Sequence, residues 1–279
     1  MNKFTPKQTD MATLPIHKYF ISGEEIQTVE RFVSSDNDGG VYEVLRVKNG
    51  VPLFLENHLQ RFKKSAEIAH VEIPYSDKRI KELLCTLIKT NEVSEGNIFI
   101  SCEISMKAFF IPHYYPTEEM YKNGVVCDIL KAERENPNAK VFQTAVRQKA
   151  NAIIEEKGCY EVLLVDAGNY ITEGSRSNVF FIHNNKIVTA PGSNVLLGIT
   201  RQKAIELAEM LNIDLIEKEI SYNELQKFEA VFLTGTSPKI LPVKKIDRFE
   251  FNVSGSIIRN IINAYNSLIE QYIAGWQTL

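Results

Sequence analysis

The chain has 279 residues, 44% of them hydrophobic, which is enough for two domains of ordinary size. Its 32 basic and 35 acidic residues leave a formal net charge of −3, and no basic cluster is interleaved with aromatic residues, which disfavours nucleic acid and anionic membranes as partners. No apolar run is long enough to span a bilayer, and the polar start lacks the apolar core of a signal peptide, so we expect a cytoplasmic protein. The five histidines lack paired metal spacing, so we expect no metal site.

The first part of the chain alternates strand and helix patterns. The predicted elements are a hairpin of strands over 41–47 and 51–55 turned at Asn49-Gly50, helices over 56–69 and 77–90, and a strand over 97–104. Tyr42 and Arg46 lie on one face of the first strand, and Arg61 lies off the apolar stripe of the first helix. The stretch 111–116 breaks any regular element and is the predicted domain boundary.

The second part continues the same alternation. The predicted elements are a strand over 125–130, a helix from Lys140 to about 157, a strand over 160–166, a strand carrying Glu173, a hairpin over 179–188, a helix over 200–211, strands over 214–220 and 231–234, and a helix over 253–272. We therefore predict a mixed α/β (α+β) chain, with an N-terminal α+β domain over 1–115 and a C-terminal mixed α/β domain over 116–279.

Two motifs of the second part indicate a cofactor. Residues 173–178 read Glu-Gly-Ser-Arg-Ser-Asn, and residues 197–201 read Leu-Gly-Ile-Thr-Arg at the start of a predicted helix. The free backbone N–H groups and the positive end of the macrodipole at such a helix start attract an anion. An acidic residue on a nearby turn can keep a ring nitrogen protonated. The pair therefore predicts a phosphorylated aromatic cofactor, namely pyridoxal 5'-phosphate.

Five motifs occur in a recognisable order. They are Val-Tyr-Glu-Val (41–44), Glu-Asn-His-Leu-Gln-Arg-Phe (56–62), Thr-Glu-Gly-Ser-Arg-Ser-Asn-Val-Phe (172–180), Leu-Gly-Ile-Thr-Arg (197–201) and Thr-Gly-Thr-Ser (234–237). This order resembles the class IV, or fold type IV, pyridoxal-phosphate enzymes, which include branched-chain aminotransferases, D-amino acid aminotransferases and aminodeoxychorismate lyases. The resemblance implies a two-domain fold like that of D-amino acid aminotransferase, with the cofactor bound between the domains, and a homodimer.

The resemblance also implies roles for individual residues. Lys140 resembles the lysine that carries the cofactor, because its separation of 18 residues from Gly158 matches the D-amino acid aminotransferase branch; Lys149, on an apolar helix stripe, is the alternative. Glu173 resembles the carboxylate that pairs with the ring nitrogen, and a turn-capping acid is the alternative. The remaining implied cofactor contacts are Arg61, Ile199, Thr200 and Thr236 at the phosphate and Leu196 on the ring. The alternatives are a solvated helix arginine for Arg61, a simple turn for Thr236 and an ordinary core leucine for Leu196.

The sequence indicates the substrate-binding residues less specifically than the cofactor-binding residues. Tyr42 and Arg46 match positions that line the substrate pocket of branched-chain enzymes, while Ile104 stands where D-amino acid aminotransferases keep an arginine. Arg176 either binds a second carboxylate of the substrate or faces solvent. Lys107 is a further cation that could bind a substrate carboxylate. An aromatic run, predicted to be exposed, adds support for a homodimer. It consists of Phe109, Phe110, Tyr114 and Tyr115.

These residues predict a transaminase that moves an amino group between an amino acid and a 2-keto acid, with a branched-chain-like pocket. Two alternatives remain open at this point. An aminodeoxychorismate lyase would use the same lysine and cofactor to eliminate pyruvate, and a non-catalytic homologue would bind the cofactor or nothing.

Overall fold

The computed structural model describes residues 14–33, 40–134, 137–141 and 144–276. They form two compact units, neither of which is continuous in sequence. The first unit comprises 14–33, 40–113, 139–141 and 268–276, and the second comprises 114–134, 137–138 and 144–267. The domain limits of 1–115 and 116–279 stay a prediction.

The first unit is built on one antiparallel sheet. Its elements are β1 (Tyr19–Ser22), β2 (Glu25–Thr28), β3 (Val41–Lys48), β4 (Val51–Pro52), α1 (Leu55–Ala69), α2 (Asp77–Thr90), β5 (Glu95–Cys102) and β6 (Met106–Ile111). The strand order is β2-β1-β6-β5-β3-β4. Asn49 and Gly50 both have positive φ, as a tight hairpin turn between β3 and β4 requires.

The two faces of this sheet differ, and β3 shows why. Leu45 and Val47 face a core that also holds the apolar stripes of α1 and α2. Tyr42 and Val44 lie in an aromatic cluster on the opposite face. The predicted alternation of β3 is therefore confirmed, since successive side chains of a strand point to opposite faces.

The second unit is built on a nine-stranded mixed sheet with the order β12-β11-β10-β13-β14-β7-β8-β9, and β15 pairs with β14. Its elements are α3 (Glu118–Asn123), β7 (Val125–Lys131), α4 (Thr144–Lys157), β8 (Glu161–Val165), β9 (Ile171–Gly174), β10 (Asn178–His183), β11 (Lys186–Thr189), α5 (Ile199–Met210), β12 (Leu215–Glu217), β13 (Ala230–Gly235), β14 (Lys239–Ile246), β15 (Phe249–Glu250) and α6 (Ser256–Ala274), whose residues after 267 belong to the first unit. The predicted mixed α/β class is confirmed.

Several predicted boundaries are wrong. The helix predicted from Lys140 is α4 instead, and Lys140 precedes it in an extended segment whose neighbour Val141 forms a bridge with Val41. The strand predicted over 97–104 ends at Cys102, so Ile104 lies beyond it and is 91% exposed. The strands predicted over 51–55 and 214–220 are shorter, because α1 already begins at Leu55 and β12 spans only three residues.

The aromatic run predicted to be exposed is largely wrong. Phe109 and Phe110 lie on β6, which the sequence pattern did not predict, and are 3% and 1% exposed. Their burial against the two faces of the first-unit sheet explains their presence without a partner subunit. Within the described part of the chain, no helix is both long and apolar enough to cross a membrane.

Candidate active site

Glu173 is the centre of a buried polar cluster in the second unit. It lies near the end of β9, and the residue is only 3% exposed. Its Oε2 atom accepts hydrogen bonds from Asn178 Nδ2 and from the backbone N–H of Leu196, both at 3.2 Å. Asn178 Nδ2 also donates to the Leu196 carbonyl at 2.9 Å. The structure thus brings together two predicted residues, Glu173 and Leu196, both by a direct hydrogen bond and through Asn178, which was not predicted.

A cation lies on the other carboxylate oxygen of Glu173. Arg134 Nε is 3.2 Å from Glu173 Oε1, and Arg134 Nη2 donates to the Ser175 carbonyl at 2.7 Å. The guanidinium and the two N–H donors all favour the ionised carboxylate. We call Glu173, Arg134, Asn178 and Leu196 the glutamate cluster. Arg134 was not predicted from the sequence, because it belongs to none of the five motifs.

The turn after Glu173 has its own acid, Glu161. This buried carboxylate accepts from Ser175 Oγ at 2.7 Å, Ser177 Oγ at 2.9 Å and the Arg176 N–H at 3.1 Å. A Cβ on Gly174 would collide with Ser177 Oγ, so a larger residue there would displace this hydroxyl from Glu161. Because Glu161 caps this turn, turn capping does not explain Glu173. The Arg176 side chain is half-buried and donates to Asn151 Oδ1.

The start of α5 lies against the glutamate cluster. Gly198 is the N-cap residue, no side chain of the described residues caps this end, and a Cβ on Gly198 would collide with Asn178 Oδ1. Ile199 and Thr200 follow in the first turn, and both are buried. Such an uncapped helix N-terminus is suited to an anion. Thr236 is half-buried, two residues beyond Thr234, which is the strand partner of Asn178.

Lys140 belongs to a separate cluster in the first unit. Its backbone N–H donates to Ser65 Oγ at 3.1 Å, and its carbonyl accepts from the Tyr42 N–H at 3.1 Å. Lys140 Nζ lies 4.7 Å from the centre of the Tyr42 ring. Lys149, in contrast, is an exposed residue of α4 and does not face an apolar stripe as predicted. The choice between Lys140 and Lys149 as the cofactor lysine stays a prediction.

Arg61 is held by a carboxylate that the sequence did not indicate. Arg61 Nε and Nη2 donate to Glu43 Oε1 and Oε2 at 2.6 and 2.7 Å, and the Arg61 side chain is only 9% exposed. Arg61 lies off the apolar stripe of α1, as predicted. The alternative of a solvated helix arginine is wrong, because Glu43 on β3 allows the guanidinium to be buried. His58 Nδ1 lies 2.8 Å from Glu43 Oε2. We call Lys140, Tyr42, Glu43, His58 and Arg61 the lysine cluster.

Opposing effects set the charges in this cluster. Burial alone would raise the pKa of Glu43, but the charge of Arg61 and the hydrogen bonds from Arg61 and His58 outweigh it, so the pKa lies below its ordinary value. Burial lowers the pKa of His58, and the neighbouring Glu43 only partly opposes this. At neutral pH the cluster therefore holds an ionised Glu43 and a neutral His58, whose Nδ1–H donates to the carboxylate.

Three of the four predicted substrate residues, Tyr42, Arg46 and Lys107, share one face of the first-unit sheet. Tyr42, Ser101 and Lys107 are paired in register across β3, β5 and β6, and Arg46 is paired with Asn97 four residues along. Lys107 Nζ donates to the Val33 carbonyl at 3.1 Å. Between these two rows lies an apolar row. It is formed by Val44, Phe99 and Phe109. Arg46 is half-buried.

Comparison with known proteins decides the family. Residues 40–246 match the model of the family described as amino-transferase class IV. The chain belongs to this family. It is 27% identical to the D-alanine aminotransferase of Bacillus licheniformis, over 91% of this chain and 98% of that protein. The relationship therefore spans almost the full length of both proteins.

Solved structures of the family share its fold. The branched-chain amino acid aminotransferase of Escherichia coli superposes with a TM-score of 0.83 at 22% identity, covering 91% of this chain and 95% of that one. The T.th. branched-chain amino acid aminotransferase with pyridoxamine 5'-phosphate superposes with a TM-score of 0.81 at 22% identity, covering 92% of this chain and 95% of that one. The class IV aminotransferase fold predicted from the motifs is thus confirmed.

Proposed function

We propose that this class IV aminotransferase uses pyridoxal 5'-phosphate to move an amino group between an amino acid and a 2-keto acid. The observation that carries the proposal is Glu173. A carboxylate that is 3% exposed, with Arg134 on one oxygen and two N–H donors on the other, is held ionised in a fixed position. That is the group a protonated ring nitrogen needs beside it.

The donors of the described residues fit this cofactor. In the second unit the uncapped start of α5, with Ile199 and Thr200, would bind part of the phosphate. Glu173 would hold the ring nitrogen. Leu196 would pack on the ring, in a position fixed by the hydrogen bond from its N–H to Glu173. In the first unit Arg61 would contact the phosphate through its guanidinium, and Lys140 would carry the cofactor. We assign Thr236 to the phosphate as well. In our proposal both clusters serve one cofactor.

When bound, the cofactor supplies an electron sink that stabilises the carbanion formed at the substrate α-carbon. Once the substrate amine has replaced it on the cofactor, the released Lys140 Nζ would take the proton from that carbon as the general base and, as the resulting ammonium, would donate it as the general acid. Two hydrogen bonds on its backbone and the Tyr42 ring below its amine fix the lysine for both steps. Glu173 would keep the ring nitrogen of the bound cofactor protonated, because Arg134 and the two N–H groups stabilise the negative carboxylate.

For the substrate we propose recognition by the Tyr42 face of the first-unit sheet. Arg46 offers a cation for a carboxylate, and the row formed by Val44, Phe99 and Phe109 offers apolar surface for an aliphatic side chain. Lys107 lies in the same row as Tyr42 and is a second cation on this face. This composition supports a branched-chain-like substrate. Arg176 is a weaker candidate, since its side chain already contacts Asn151.

We further propose a homodimer and a cytoplasmic location. The homodimer rests on family membership, since Phe109 and Phe110 are accounted for by the core. The location rests on four cysteines that form no disulfide.

The function is tested by incubating the purified enzyme with a panel of L- and D-amino acids and 2-oxoglutarate, and separately with aminodeoxychorismate. We expect a 2-keto acid and glutamate from at least one aliphatic amino acid. Pyruvate release from aminodeoxychorismate without transamination would establish the lyase instead. A protein without visible cofactor absorption, even after incubation with pyridoxal 5'-phosphate, would contradict the proposal.

A further inference from the structure

Glu43 and His58 form a buried polar pair for which the transamination steps have no use. Both residues are within 3% of full burial, and neither is one of the residues assigned to the cofactor or the substrate above. A buried carboxylate destabilises a fold unless it is paired, so its presence calls for a reason. Its two oxygens face the Nε and Nη2 atoms of Arg61.

The geometry of the pair fixes the guanidinium. A carboxylate that accepts from Nε and Nη2 binds the guanidinium side-on, which sets the plane of the fork and directs its Nη1 atom away from Glu43. His58 Nδ1 forms a hydrogen bond of 2.8 Å with Glu43 Oε2, and this bond restrains the carboxylate itself. The chain of contacts runs from α1 (His58) to β3 (Glu43) and back to α1 (Arg61), with no exposed member.

From this geometry we propose that Glu43 and His58 are positioning residues that orient Arg61 toward the cofactor phosphate. The inference rests on the proposed function, because it requires a phosphorylated cofactor. The alternative is competition, in which Glu43 draws the guanidinium away from the phosphate. Orientation prevails because a fixed fork loses little conformational freedom when it binds a phosphate oxygen.

The test is cofactor affinity, measured by equilibrium dialysis of the cofactor-depleted enzyme. Glu43→Gln should weaken binding of pyridoxal 5'-phosphate about tenfold to a hundredfold, the equivalent of one lost charge-assisted hydrogen bond. Binding of pyridoxal, which lacks the phosphate, should change less than about twofold. In an Arg61→Gln background, Glu43→Gln should have little further effect, because its action passes through Arg61. Glu103→Gln, at an exposed position, is the matched control.

Several results would overturn the proposal. Unchanged or tighter binding of pyridoxal 5'-phosphate by Glu43→Gln would do so, and so would an equal loss for pyridoxal or an undiminished loss in the Arg61→Gln background. If Glu43→Gln does not fold, His58→Ala releases one carboxylate oxygen and should weaken phosphate-dependent binding about threefold to tenfold, with recovery in His58→Gln, whose amide can donate again. No recovery would count against the proposal. Failure of the wild-type enzyme to bind pyridoxal 5'-phosphate would instead contradict the proposed function.

Discussion

The glutamate cluster and the lysine cluster are assembled in different ways. Glu173 and Asn178 are five residues apart, and one short motif contains both. In the lysine cluster Glu43 and Arg61 are 18 residues apart, and Lys140 is 75 residues from Ser65. The first cluster combines this local contact with contacts to Leu196, 23 residues away, and to Arg134, 39 residues away. In the second cluster the contacts of Glu43 with His58 and Arg61 span 15 and 18 residues, and neither is local. The second should therefore depend more on how separate segments of the chain pack together.

The largest effect is expected at the glutamate cluster, on turnover. Glu173→Gln should retain the cofactor and lose about 10² to 10³ of kcat, because an amide cannot stabilise a protonated ring nitrogen. Steady-state kinetics with cofactor absorption measured on the same sample checks this. Glu209→Gln, at an exposed position of α5, should behave as the wild type.

The corresponding change in the lysine cluster should act on binding. Arg61→Ala should lower the affinity for the cofactor by about 1.5 to 3 kcal/mol, because it removes a charge-assisted contact with the phosphate. At saturating cofactor, turnover should largely recover. If Arg61→Ala and Glu173→Gln behaved alike in both assays, the division of roles between the two clusters would be wrong.

Changes on the sheet face beside the lysine cluster should affect substrate binding and leave cofactor binding unchanged. Arg46→Leu should raise KM by a factor that corresponds to about 2 kcal/mol, the low end for a lost carboxylate partner, because Arg46 is only half-buried. Cofactor absorption should not change. Unaltered kinetics would move the carboxylate anchor to another cation, and Lys107 and Arg176 would then be tested in the same way.

The smallest effect concerns stability and pH. Because the pKa of folded His58 lies below its ordinary value, the unfolded chain binds a proton that the folded chain does not, and stability is lost as pH falls below about 6.5. His58→Gln lacks this loss, so its deficit in unfolding free energy should be larger at pH 7.5 than at pH 5.5. Urea unfolding at both values measures it. His70→Asn, at the exposed end of α1, is the control, and an equal deficit at both values for His58→Gln would contradict a neutral buried His58.

Local features were predicted well from the sequence. The limits of α2 match residues 77–90, and the Asn49-Gly50 turn and the start of α5 after Gly198 were found because propensity and turn chemistry decide them locally. Strand β6 was missed, since its apolar residues point to both faces of the sheet and show no alternation.

The residues that contact Glu173 and Arg61 could not be predicted from a sequence pattern. Arg134 follows β7 and contacts Glu173 on β9, and Glu43 on β3 contacts Arg61 on α1. Both contacts therefore depend on how distant segments pack together. Glu43 lies within the Val-Tyr-Glu-Val motif, and its alternation with Leu45 and Val47 places it on the buried face. A buried acid on that face was the available signal that a cation would lie opposite it.

Borohydride reduction, which fixes the cofactor to its lysine, shows whether Lys140 carries the cofactor. The holoenzyme is reduced, digested and mapped by mass spectrometry, with an unreduced sample and the Lys149→Ala variant as controls. We predict that the pyridoxyl mass is found on the peptide containing Lys140, in the wild type and in Lys149→Ala alike. A label on Lys149, or no label on any lysine of a protein that retains cofactor absorption, would contradict the account.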